Sequence, residues 1–386
     1  MFGKKCLMCM FCVVLPLLVK SSLLVNIFND SELKQCVRLR TPTLVRNEET
    51  GVIHITVRCC GANRCSGKRR RLLSSMGVDD HQQPTFGDNL KDCKVAMKSS
   101  YDNGTTWGKF QFISPPNKPG FGHGSALWDR IRKKIVLQYQ SYPHGSTKPT
   151  ADTTYYQIYS EDDAKSWSEP HDISSFLKPC NPDHEDMMDL TAGNKIQTSS
   201  GRLLYTGHNH KRQVCAWFSD DGGKTYNVSN VVKGNEISVA PLTDDNGGKK
   251  GHLYMNGRGQ SFPQWNGHRA DYFSYDDGET WSDPVKSPLL DDDGHGCERS
   301  LISFNGVLYS AEPQGQKDKE RTKMVIQCSI DNAKTWDKNI TVNGEEQGAY
   351  SDLIGLPNGK LLMVWEYKPT GNVFAKQIDT DWCVLK

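Results

Sequence analysis

Cysteine is the first residue type in this sequence whose count and spacing could do chemistry. Thirteen occur, and three of them, Cys6, Cys9 and Cys12, lie inside an apolar N-terminal stretch. The remaining ten suit disulfides in an oxidising compartment. No CxxC pair with a matching second pair offers the thiolate set of a zinc site. Their pairing stays open. His208 and His210 carry no metal reading, because they stand in a loop without a third ligand at supporting spacing. The acidic run from Asp291 to Asp293 is a weak hint of calcium. Lys68, Arg69, Arg70 and Arg71, beside Cys65, make one basic run, read as a solvated loop with a polyanion or processing site as the alternative. Sequons at Asn103, Asn227 and Asn339 permit glycosylation if the chain is exported.

Any such groups must be positioned by a repeat that runs through the chain. One pattern, S-x-D-x-G-x-T-W, occurs as SYDNGTTW from Ser100, SEDDAKSW from Ser160, SDDGGKTY from Ser219, SYDDGETW from Ser274 and SIDNAKTW from Ser329. The Asp and the hydroxyls can bond the backbone of a tight turn, the glycine tolerates positive φ, and the aromatic packs beneath. Ala164 and Ala333 replace the glycine in two copies, and Tyr226 replaces the tryptophan in a third. Ahead of the boxes lie VAMKS, TYYQIYS, QVCAWFS, ADYFSY and KMVIQCS, strand-like by their β-branched and aromatic content. The box serines recur every 55–60 residues, one four-stranded blade plus loops. The two ends of the chain supply a further blade without a box. The spacing predicts an all-β, six-bladed β-propeller of four-stranded antiparallel blades in a single domain over 28–386. A seven-bladed ring or an array shared with other chains fits the mature length less well.

Composition is that of an ordinary globular protein, 36% apolar and 24% charged, which excludes disorder. A formal charge of +2 gives no net field to gather nucleic acid or anionic membrane. Lys4 and Lys5 precede an apolar stretch from Cys6 to Val19, the pattern of an export signal over about residues 1–27, cleaved between Lys20 and Phe28. The alternative is an uncleaved anchor prolonged by Leu23 to Ile27.

Five such boxes on an exported chain resemble the sialidases, also called exo-α-neuraminidases, whose hallmark repeat is the Asp-box. Asp-boxes also occur in binding propellers, so the function implied rests on dispersed positions. Leu39-Arg40-Thr41-Pro42 resembles the family's first arginine motif. Arg258 in YMNGRGQ and Arg321, eight residues before Ser329, match the second and third. Three guanidiniums suit the carboxylate that sialic acid carries on its anomeric carbon. That carboxylate disfavours an anionic nucleophile, and sialidases use tyrosine. Tyr350 in GAYSDLIGL fits that position, with Glu236 in GNEISVAPL as its partner base, although the gap from Glu236 to Arg258 is longer than usual by a DDNGGKK loop from Asp244. Asp88 in FGDNLKD, twelve residues before Ser100, fits the general acid. Glu366 resembles the glutamate that holds the first arginine. VRCCGANRCSGKRRR departs from the family pattern, and Arg58 either compensates for a missing arginine there or points to solvent.

The resemblance implies hydrolysis of terminal sialic acids from glycoproteins, glycolipids or oligosaccharides with retained configuration. No step needs a cofactor, and the setting is secreted or lumenal. The alternatives are transfer to a sugar acceptor and an inactive propeller that binds sialosides or peptides. Oligomeric state is not legible.

Overall fold

Short runs of β-branched and aromatic residues, each ended by turn residues, form antiparallel strands along the whole chain. The computed structural model describes residues 23–384 except 37, 61–92, 114–120, 143–149, 182–186, 243–250, 292–295, 318–319 and 368–370. Residues 1–22 of the leader, Cys65, the Lys68 to Arg71 run, Asp88 and the loop from Asp244 lie outside the described residues. The strands make six antiparallel sheets, each a blade of a β-propeller, with chain order preserved in all but the sixth. Blade 3 departs from four strands: Asn227–Val228 and Val232–Lys233 share its outer edge, both paired with Gln213–Ser219. Blade 6 lacks a box. Its outermost strand is Val25–Asn26 from the chain's other end, paired with Asn372–Ile378, which closes the ring. The apolar character of Val25 to Phe28 serves this closure, with Ile27 and Phe28 buried between blades 6 and 1.

The cores lie between blades. Each of the six large apolar clusters joins two neighbouring sheets, as where Leu204 and Val214 of blade 3 meet Leu253 and Tyr272 of blade 4. The boxes sit at these seams, at the turn from third to fourth strand. In each, the Ser hydroxyl bonds the Asp carboxylate and accepts the backbone N–H four residues on, as in Ser274 to Gly278 at 2.9 Å. The Asp in turn accepts the Thr backbone N–H and hydroxyl. Two successive residues take positive φ, Asp277 at 62° and Gly278 at 86° in blade 4. Asn, Asp or Gly fills the first of them in every copy. The closing aromatic enters the seam with the preceding blade, as Trp281 does between blades 3 and 4.

First strands line the axis and touch one another across it. Lys195 of blade 3 spans it, bonding Thr43 of blade 1 and the Asp352 carboxylate of blade 6 at 3.2 Å. Asp352 also accepts the Leu44 N–H at 2.7 Å and the Ser300 hydroxyl at 3.2 Å, so one carboxylate ties blades 1, 5 and 6 to Lys195. Below this plug, on the box side, a cavity of about 320 Å³ opens along the axis.

Among the described residues four disulfides form: Cys36–Cys59, Cys60–Cys93, Cys180–Cys215 and Cys328–Cys383. The even count of ten does not translate into full pairing, because Cys297 is unpaired and buried. Among the described residues, no helix is long and apolar enough to cross a membrane.

Candidate active site

In an antiparallel blade the first strand begins, the second ends and the third begins at the same face. Arg40 lies near the start of Arg38–Arg46, and Glu236 and Tyr350 directly precede Ile237–Pro241 and Ser351–Gly355. Arg258 follows the second strand Leu253–Gly257, Arg321 opens the third strand Glu320–Ser329, and Glu366 closes the second strand Leu361–Tyr367. All six therefore belong to the face opposite the boxes, on blades 1, 4, 5 and 6. Local backbone helps to aim them. The strand register shifts between Arg40 and Thr43, and Thr41, followed by Pro42, has a φ of 49°. A β-branched residue adopts that conformation only when its surroundings impose it. The imposing group is Glu366, which accepts the Thr41 N–H at 2.6 Å and the Arg40 Nε–H at 2.9 Å with one carboxylate oxygen. Glu236 is likewise in the left-handed region, at 29°.

The Tyr350 hydroxyl donates to Glu236 Oε1 at 2.6 Å, and Arg258 Nη1 donates to Glu236 Oε2 at 2.8 Å. The guanidiniums of Arg40 and Arg321 lie 5.0 and 5.5 Å from the centre of the Tyr350 ring. One phenol thus gathers all three arginines, either against its ring or through its partner carboxylate. Arg321 Nη2 donates to the Gly296 carbonyl at 2.7 Å. Burial alone would raise the Glu236 carboxyl. Arg258 foremost, with His208, the Tyr350 hydroxyl and Arg321, outweighs burial and holds it at about 2. Burial, then the adjacent Glu236 carboxylate, pushes the Tyr350 phenol well above its ordinary value against the pull of Arg321 and Arg40. At rest the pair is a neutral phenol donating to a carboxylate, with guanidiniums grouped as an anion would require.

The model of the BNR repeat-like domain matches residues 87–363. The chain belongs to the sialidase family with Asp-box (BNR) repeats. It is similar to sialidase-3 of Bos taurus, 30% identical over 169 residues, which cover 38% of this chain and 37% of that protein. The chain spans less than half the length of its sialidase-3 relatives. Two solved structures resemble it in fold. The Hadza microbial sialidase Hz136 does so at a TM-score of 0.71 and 19% identity, covering 90% of this chain and 66% of that one. The intramolecular trans-sialidase from Ruminococcus gnavus does so at 0.68 and 15%, covering 94% and 98%.

Several residues of this sialidase-family chain stand elsewhere than the sequence placed them. Arg58 does not point to solvent: it is buried, pairs in register with Arg40, and lies 5.9 Å from the Tyr142 ring. Asp189 and His208 of blade 3 enter the site as well. Asp189 stands in register with His208 and accepts the Tyr142 hydroxyl at 3.2 Å, while His208 acts on Glu236. Burial holds the His208 imidazole below its ordinary value against the pull of Asp189 and Glu236. The one signal for His208 was its proximity to His210, which carried no metal reading and did not mark it as a neighbour of Glu236. Cys297 packs with Ala349 and Tyr350, and burial pushes its thiol up to about 11. Asp291 is committed to Arg269 and the Gly259 N–H, and Asp292 and Asp293 lie outside the described residues.

Proposed function

We propose that this chain is an exo-α-sialidase, releasing terminal sialic acids from glycoproteins, glycolipids or oligosaccharides with retained configuration. The observation that carries the proposal is the 2.6 Å bond from Tyr350 to Glu236 with Arg40 and Arg321 against the phenol ring. A lone buried tyrosine is packing. A buried tyrosine bonded to a carboxylate inside a set of guanidiniums is a nucleophile, base and anion site in one place.

Arg40, Arg258 and Arg321 hold the sugar carboxylate. Arg258 also bonds Glu236, so an incoming carboxylate competes for that guanidinium and leaves Glu236 a stronger base. The Tyr350 proton passes to Glu236 as the phenol oxygen attacks the anomeric carbon through an oxocarbenium-like transition state. Asp88 is the proposed acid for the departing oxygen and the later base for water. A sugar acceptor in place of water would make the same site a transferase. Four disulfides suit a secreted or lumenal setting. A leader cleaved before Val25 would leave the ring-closing strand in place.

Fluorophore release from an α-sialoside by the purified protein tests the proposal. The wild type turns over and Tyr350→Phe loses roughly 10³-fold or more in kcat while still binding free sialic acid. A silent wild type that binds sialosides would instead make the chain a lectin-like propeller.

A further inference from the structure

The seam between blades 4 and 5 holds four charged side chains out of water on the site side: Arg269, Arg299, Asp291 and Glu312. Asp271, also buried and on the same strand as Arg269, acts on both arginines as well. Arg269 Nη1 pairs with Asp291 and lies 3.3 Å from Glu312, and Arg299 pairs with Glu312. Well-packed apolar side chains often serve stability as well as such a cluster does, so what it holds is the more informative question. It holds backbone. The free oxygen of Asp291 accepts the Gly259 N–H at 2.5 Å, the peptide directly after Arg258. Arg269 Nη1 donates to the Cys297 carbonyl at 3.0 Å, and the preceding carbonyl, of Gly296, is the one that accepts Arg321 at 2.7 Å. Both segments close directly on Asp291. A Cβ at Gly296 would fall 2.6 Å from the Asp291 Cγ, and one at Gly259 would meet the His268 carbonyl oxygen first and fall 2.8 Å from Asp291 Oδ2. Gly296 also has a φ of 56°.

We propose that the buried Asp291–Arg269 pair is a positioning device that sets the guanidiniums of Arg258 and Arg321 for the substrate carboxylate. The proposal rests on the sialidase reading and names what aims two of its three arginines. Neither Asp291 nor Arg269 touches the sugar. Each acts through the backbone beside an anion-binding residue: Asp291 through the Gly259 N–H next to Arg258, and Arg269 through the Cys297 carbonyl next to the Gly296 carbonyl that accepts Arg321. A loosened clamp weakens the hold on the carboxylate in ground and transition states alike, which raises KM and spares kcat.

The test compares Asp291→Asn with Lys98→Met, which removes another buried ion pair, Lys98–Glu32, at the ring closure far from the site. Both lose stability. With a fluorogenic sialoside, assayed well below either melting temperature, Asp291→Asn is expected to raise KM tenfold or more with kcat within about threefold of wild type, and Lys98→Met to move neither. Gly296→Ala, whose Cβ would meet the Asp291 carboxylate first, crowds the clamp without removing its charge and is expected to raise KM in the same way should Asp291→Asn not fold. An unchanged KM in a folded variant overturns the proposal and leaves the pair a stability element. A wild type without turnover defeats the sialidase reading instead. Calorimetric binding of free sialic acid by wild type and Asp291→Asn then decides the clamp: tenfold weaker binding by the variant supports it, and equal binding, or no binding by either, overturns it.

Discussion

In an Asp-box no hydrogen bond within the turn reaches further than four residues: Ser160 to Asp162, Ser160 to Ala164, Ser166 to Asp162. At the other face the Tyr350–Glu236 bond joins residues 114 apart, and Arg40–Glu366 joins residues 326 apart. The two regions share the same blades and differ in what holds them. A box is a local turn that needs only its own eight residues and a seam to receive its aromatic. The site needs four blades placed at once. Redundancy follows the same division: three of the five copies of the box have drifted, with alanine for glycine in two of them, whereas each site residue is present once.

The division predicts separable effects. Glu236→Gln removes the proposed base for the Tyr350 proton, and kcat should fall by roughly 10²–10⁴-fold, measured with a fluorogenic sialoside. Trp281→Ala should cost stability and leave turnover alone. It empties a buried site between blades 3 and 4 and should lower unfolding free energy by about 3–5 kcal/mol by denaturant titration, with kcat and KM of the folded enzyme unaltered. A change in its KM would break the comparison, by showing that the rim reaches the site.

Acid acts on both regions through carboxylates held low by different neighbours. Arg258 foremost holds Glu236 at about 2 against burial, and the Ser166 hydroxyl and N–H hold Asp162 at about 2. A carboxyl more acidic folded than unfolded stabilises above its unfolded value of about 4, and that contribution is lost as pH falls toward the folded value. Thermal midpoints should therefore drop between about pH 4.5 and 2, and Glu236→Gln should flatten the drop. Ser166→Ala should alter it far less, because Asp162 faces water and its contribution is screened. The smallest effect should come from Ala164→Gly and Ala333→Gly. These alanines sit at φ of 59° and 66°, and glycine there should stabilise by about 0.5–1 kcal/mol each in calorimetry, the relief of left-handed strain exceeding the entropy that glycine loses.

Blade count and hairpin turns were legible because they repeat and because each depends on neighbours in sequence. The ring's closure was half legible. Spacing showed that the two chain ends make a blade, but not that Val25–Asn26 is its outer strand. For the site, a family pattern singled out Arg40, Arg258, Arg321, Tyr350 and Glu236, and nothing in their spacing could state that one phenol ring lies against two of the arginines. His208, Cys297, Asp291 and Arg269 carried no usable signal, since a single histidine, cysteine or ion-pairing residue looks the same on a surface as in a seam.

What the sequence determined by itself is the local chemistry of the turns: serine, aspartate and threonine satisfy backbone groups within one loop, wherever that loop is placed. What the tertiary structure decided is every contact that crosses a blade boundary. The bond from Tyr350 of blade 6 to Glu236 of blade 4, the strained Thr41 of blade 1 held by Glu366 of blade 6, and the hold of Arg269 on the Cys297 carbonyl exist only because folding brings together groups that the chain keeps far apart and strips the water from them.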